Sequence, residues 1–204
     1  MSISDIPIII LAAGQSSRMR GRDKLLEIVD GKPLLRRQAQ MARSVTTGPV
    51  LVALPPSPHA RYDVIRDLAV TQIPVANATE GMNASLRSAF AALPKDTNAA
   101  MLLLADLPDL TEKDLKTCLQ AVDLKSDKTI WRGVTLDGRP GHPIIFAALH
   151  FPSFAKLSGD SGGRDIVAAA RNDTQLVPLP NQHAHNDLDT PEDWADWRAK
   201  NPFR

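Results

Sequence analysis

Residues 8–26 read Ile8-Ile9-Ile10-Leu11, Ala12-Ala13-Gly14-Gln15-Ser16-Ser17, Arg18-Met19-Arg20-Gly21-Arg22-Asp23-Lys24-Leu25-Leu26. The first four residues form a short apolar run rich in β-branched side chains. Such a run reads as a strand buried on both faces, the kind found inside a parallel sheet. The small, turn-prone residues that follow let backbone N–H groups approach a ligand, and Gly14 can take a positive φ. Then come Arg18, Arg20, Arg22 and Lys24, with only Asp23 against them. A buried strand that feeds a small-residue turn and a cation cluster suits a polyphosphate. Backbone donors hold the anion, and Arg and Lys neutralise it. A solvated basic face is the plainer alternative.

The rest of the chain extends this α/β pattern. Val50 to Leu54 reads as a second buried strand and Val70 to Val75 as a third. Ala99 to Leu104 is the most apolar strand. Helices are expected from Pro33 to Ala42, briefly from Tyr62 to Leu68, and from Asn83 as N-cap to about Leu93. Thr111-Glu112-Lys113-Asp114 and Thr190-Pro191-Glu192-Asp193 have the pattern of a helix start with a capping box. Thr129 to Leu136 and Leu176 to Leu179 read as later strands. Between them, Arg139-Pro140-Gly141-His142-Pro143-Ile144-Ile145-Phe146 reads as a rigid loop entering a strand. The glycine-rich stretch from Ser158 to Ile166 leads into a helix through Ala170. The expectation is one domain over residues 1–204.

Composition narrows the function. The chain has 204 residues, 43% apolar and 23% charged, with a formal net charge of +1. Its positive charge is local, which argues against a nucleic-acid partner. Cys118 is the only cysteine, so an intrachain disulfide is excluded, and its apolar neighbours suggest packing. Met1 to Pro7 lacks the features of a secretory signal, and no apolar run approaches the roughly 18 residues that cross a bilayer. A cytoplasmic location without membrane association is the expectation. No histidine pair has the spacing of a zinc site.

One acidic position lies where open α/β sheets collect ligands, and two more are left unexplained by helix capping. Asp106 follows the Ala99–Leu104 strand, beyond its carboxyl end. It is either a turn-forming Asp before Leu107-Pro108 or a hard oxygen ligand for Mg²⁺. Asp187 and Asp189 alternate on the approach to the last helix, whose start explains Thr190, Pro191 and Asp193 but neither of them. His142 is either a polar contact to a substrate or a hydrogen-bonded loop histidine.

Five motifs in order, LAAGQSSRMRGRDKLL, EGMNASL, LLADLP, GRPGHPIIF and LDTPED, resemble those of the molybdenum cofactor nucleotidyltransferases, the MobA-like NTP transferases. The resemblance implies a Rossmann-like α/β nucleotidyltransferase fold: three layers around a mostly parallel sheet. About residues 1–110 would bind nucleotide and about 111–204 the acceptor. It implies that Leu11, Ala12, Ala13, Gly14, Gly81 and Ser85 hold the nucleotide. Arg18, Lys24 and Asp106 would be catalytic. Asp106 and one late acid, for which Asp189 is favoured over Asp187, would hold Mg²⁺. The LAAG form looks like the cytidylyltransferase (MocA-like) branch, since the GMP-transferring relatives usually carry a second glycine where Ala13 stands. The implied reaction moves CMP from CTP to molybdopterin cofactor and releases pyrophosphate, with the receiving molybdoenzyme as a further partner. GTP or a sugar or alcohol phosphate would be the substrate in related members. A non-catalytic cofactor-binding or maturation protein is the reading from another class, motivated by Arg20, where the family has glycine, and by the altered 158–166 loop. A dinucleotide-binding Rossmann module is disfavoured, because no G-x-G-x-x-G follows the first strand.

Overall fold

In the computed structural model, which describes residues 3–158 and 162–204, the chain runs β1 (Ile8–Leu11), β2 (Ile28–Val29), β3 (Lys32–Pro33), α1 (Leu34–Val45), β4 (Val50–Leu54), α2 (Ala60–Asp63), β5 (Thr71–Pro74), α3 (Met82–Ala91) and β6 (Ala99–Leu104). It continues with α4 (Glu112–Gln120), β7 (Ile130–Val134), β8 (Pro140–Ala147), α5 (Phe151–Ala155), α6 (Arg164–Ala169), β9 (Thr174–Pro178) and α7 (Pro191–Lys200).

Seven strands form one sheet in the order β5-β4-β1-β6-β8-β7-β9. β1 lies parallel between β4 and β6, with Leu11 level with both Ala53 and Leu104. The carboxyl ends of these three strands therefore meet on one edge. Central placement explains the uninterrupted apolar run. Ile8 and Ile10 face one core cluster, with the inner faces of α1 and α4, Trp131 and Trp194. Ile9 faces the other, with Ala84, Leu86, Phe90 and Phe154. Helices cover both faces, giving a three-layer, mostly parallel α/β fold. β8 is the exception, antiparallel to β6 and to β7.

Several boundaries differ from the sequence reading. β8 begins at Pro140, so most of the expected rigid loop is strand. The helix after the Pro-rich turn is only Ala60–Asp63, with turns to follow. β9 starts at Thr174, two residues early. α1 starts at Leu34, because Pro33 pairs with Ile28 across a small hairpin. Asn83 is not the N-cap of α3. Gly81, with φ of +93°, starts that helix, and Asn83 is buried in its first turn, donating to the Ser158 carbonyl at 2.8 Å. Both expected capping boxes, at Thr111 and at Thr190, are formed. Cys118 is buried in α4, and burial pushes its thiol pKa up to about 12, so it is packing material. Residues 159–161 of the glycine-rich stretch lie outside the described residues.

Candidate active site

The site forms at the carboxyl edge of β1 and β6. Lys24 lies in a short 3-10 turn, Lys24–Leu26, whose N-cap Asp23 accepts from the Leu25 N–H at 3.0 Å. This turn aims Lys24 back across the sheet edge. Its Nζ donates to Asp106 Oδ2 at 2.5 Å and to Asp189 Oδ1 at 2.7 Å. Arg18 reaches the other Asp189 oxygen at 2.6 Å. Two carboxylates 83 positions apart (189 − 106) thus share one ammonium.

Long-range ties bring them together. The Leu188 N–H donates to the Asp106 carbonyl at 3.3 Å, joining the late acidic segment to the end of β6. Asp109 accepts from Asn186 Nδ2 at 2.6 Å and from Trp197 Nε1 at 2.9 Å, which pins the same segment from the other side. Gln38 of α1, buried, donates to the Leu107 carbonyl at 2.7 Å. Asp193, the N3 residue of the α7 capping box, accepts from the Asp189 N–H at 3.1 Å. Asp109 and Gln38 were missed as site-building residues. Asp109 lies three positions after Asp106, and that proximity was the available signal.

Electrostatics follow from the crowding. Burial opposes the charge on Lys24, but Asp106 and Asp189 outweigh it, so the ammonium is held above its usual range. Asp187 keeps part of its surface open but is crowded by neighbouring atoms. Lost hydration and then the charges of Asp106 and Asp189 hold its carboxyl above the usual carboxylate range. Asp106 Oδ1 is buried and has no hydrogen-bond partner. An acidic oxygen without a donor, beside a carboxyl that resists ionising, suits a divalent cation. Mg²⁺ commonly takes one or two carboxylates plus substrate phosphates. Among the described residues no group of three or more His, Cys, Asp or Glu side chains is arranged to hold a metal, so phosphate oxygens and water would complete the shell around Asp106 and Asp189.

The expected four-cation cluster divides. Arg20 pairs with Glu192 at 2.7 Å and Arg22 with Glu27 at 3.3 Å, leaving Lys24 and Arg18 at the acids. Arg20, the family departure, ties the loop to α7. Gly14 does not take a positive φ; Ser16, Arg20 and Gly21 do. A side chain at Gly14 would meet no atom within 4 Å, so glycine there leaves open space in front of the loop. The backbone N–H groups of Ala13, Gly14 and Gln15 have no acceptor among the described residues. Leu11 ends β1. Ala12 and Ala13 are buried on opposite sides of the sheet, Ala12 in one core cluster and Ala13 in the other. Gly81 and Ser85 sit at the start of α3, which packs on β1, and no hydrogen bond joins them to Lys24 among the described residues.

His142 lies on β8, not in a loop, and its Nδ1 is buried without a partner. Burial and then the Arg132 charge hold its pKa at about 4. An unfolded histidine titrates near 6.5. Between those values the unfolded chain binds the extra proton, so stability falls as pH falls through this window. His142→Asn is expected to flatten this slope by on the order of 3 kcal/mol between pH 7 and 4. Urea unfolding of both proteins at the two pH values measures it. Parallel slopes would mean that His142 is not buried neutral.

The model of the MobA-like NTP transferase domain matches residues 8–175. The chain belongs to that family. This MobA-like protein is a nucleotidyltransferase. It is 29% identical over 191 residues to a probable molybdenum cofactor guanylyltransferase from Synechococcus elongatus, covering 91% of this chain and 94% of that one. Among solved structures it is similar to Rv0371c from Mycobacterium tuberculosis in complex with manganese, with a TM-score of 0.77 and 23% identity over 94% of this chain and 97% of that one. It is also similar to CMP:2-keto-3-deoxy-manno-octonic acid synthetase complexed with CTP, with a TM-score of 0.73 and 15% identity over 98% and 99%. These two likenesses establish the shared Rossmann-like fold. No helix among the described residues is long and apolar enough to cross a membrane.

Proposed function

We propose that this MobA-like nucleotidyltransferase moves CMP from CTP to molybdopterin cofactor and releases pyrophosphate, with Mg²⁺ bound between Asp106 and Asp189. The observation that carries the reading is Lys24 Nζ at 2.5 and 2.7 Å from those two carboxylates, beside a loop with unused N–H donors. About residues 1–110 would supply the nucleotide site and about 111–204 the acceptor site.

The acceptor's phosphate oxygen attacks the α-phosphorus, and the bond from α-phosphorus to the bridging oxygen of pyrophosphate breaks. The phosphate nucleophile is already ionised, so no protein base is needed. Positioning and charge neutralisation are what the protein must provide. The Ala13, Gly14 and Gln15 N–H groups receive phosphate oxygens. Lys24 and Arg18 face the charge that grows on the α-phosphate and on the departing pyrophosphate. Asp106 and Asp189 would hold a divalent cation, which when bound would neutralise phosphate charge. The manganese of the Mycobacterium tuberculosis neighbour supports a divalent ion at this fold, and Asp106 Oδ1 supports it here.

Ala13 supports the pyrimidine. The GMP-transferring relatives usually carry glycine where this chain has the buried Ala13 methyl, which by that resemblance favours the smaller base. Transfer of GMP is the second reading, favoured by the Synechococcus relative. Each labelled nucleoside triphosphate, supplied with Mg²⁺ and the cofactor, separates the two. Dinucleotide and pyrophosphate are expected from CTP. Product from GTP alone overturns the base assignment. Transfer to a sugar phosphate overturns the acceptor.

A further inference from the structure

Among the described residues, Arg61 is the one arginine with almost no exposure, 1%. It lies in α2, beyond the proline-rich turn that follows β4, and its guanidinium runs beneath the first loop. Each of its five side-chain N–H groups is used. Nε donates to Asp23 Oδ2 at 2.7 Å. One terminal nitrogen donates to the Ala12 carbonyl at 2.6 Å and the Gly14 carbonyl at 2.7 Å. The other donates to Ser16 Oγ at 3.0 Å and Asp23 Oδ1 at 2.7 Å. A fully satisfied guanidinium is not free to bind substrate. What it does is orient the loop.

The consequence follows from peptide geometry. In a trans peptide the carbonyl of one residue and the N–H of the next point to opposite sides. The peptides after Ala12 and after Gly14 are trans. With both carbonyls turned onto Arg61, the N–H groups of Ala13 and Gln15 point away from it. Both lack an acceptor among the described residues. Arg61 also fixes the approach to Lys24. Ser16 Oγ, held by the guanidinium, accepts from the Lys24 backbone N–H at 3.3 Å, and Asp23 caps the turn that carries Lys24.

We propose that Arg61 is a positioning residue for the triphosphate: it holds the Ala12 and Gly14 carbonyls inward so that the loop presents its N–H groups, and the adjacent Lys24, to the nucleotide phosphates. This rests on reading the loop as the nucleotide site. Lysine cannot replace arginine here. It has three donors on a mobile stem, and it cannot bind a carboxylate with two parallel bonds while also holding two carbonyls.

The test is Arg61→Lys beside wild type, with MgCTP and MgGTP titrated by calorimetry, both KM values measured, and thermal melting as the check on folding. The variant is expected to melt cooperatively and to bind the preferred nucleotide about tenfold or more weakly, with nucleotide KM raised by a similar factor and acceptor KM unchanged. General destabilisation would lower the active fraction without separating the two KM values. If Arg61→Lys does not fold, Ser16→Ala is read instead. It removes one Arg61 acceptor and the Lys24 N–H partner, and a several-fold rise confined to nucleotide KM is expected. Nucleotide affinity within twofold of wild type in the variant that folds, or equal changes in both KM values, overturns the positioning role. Wild type that binds neither nucleotide overturns instead the reading on which it rests.

Discussion

Asp106→Ala is expected to lower the rate of pyrophosphate release at saturating substrates by about a hundredfold or more, the range seen when a preorganised electrostatic group is lost. The loss should be in chemistry, not in the fold. The Asp106 backbone carbonyl, not its side chain, accepts from the Leu188 N–H. Truncation therefore leaves intact the tie that carries Asp189 to the end of β6. What disappears is one partner of Lys24 and the buried oxygen Oδ1, which has no donor in the chain. Asp106→Asn should behave alike, since it keeps the shape and removes the charge. Steady-state kinetics with varied Mg²⁺ measure both variants, and a far higher metal requirement should accompany the lower rate. Activity within a few-fold of wild type would mean that the metal is held elsewhere.

The legible parts of this chain were those with a local physical signal. β1, β4 and β6 are continuous apolar runs because each has a strand on either side and helices on both faces. The capping boxes at Thr111 and Thr190 need only residues three apart. Asp106 was legible because it stands at the carboxyl end of such a strand. The convergence of Lys24, Asp106 and Asp189 was expected from the motifs, and the geometry brings them into one cluster. β8 was misread because proline argues against a strand with neighbours on both sides. Here the pairing of β8 with β6 covers only Ile144 to Ala147, and its pairing with β7 slips between Arg132 and Val134. Pro140 and Pro143 therefore lie beyond the ladder to β6, where a missing N–H is tolerated. Asn83 looked like a cap because Asn commonly is one, but the positive φ of Gly81 starts the helix earlier. Arg61 gave no signal at all. An arginine on a short helix reads as solvated, and its partners lie 38 to 49 positions away, from Asp23 to Ala12.

Lys24→Met is expected to cost activity on the same scale, about a hundredfold, and to leave a second signature. Lys24, its side chain only 14% exposed, is the counter-charge shared by Asp106 and Asp189, each 18% exposed. Without it, Asp187 faces those two carboxylates with only Arg18 near, and like charges make its own ionisation harder still. Asp187 is already held above the usual range with Lys24 in place. On the proposed reading, turnover would need ionised carboxylates to bind the metal. The acid limb of the pH–rate profile should therefore move to higher pH in Lys24→Met, while the residual rate recovers as pH rises. Unchanged turnover would remove Lys24 from the mechanism. Lost turnover with an unmoved acid limb would mean something narrower: that the ammonium acts on the nucleotide alone, and that the carboxylates keep their charge without it.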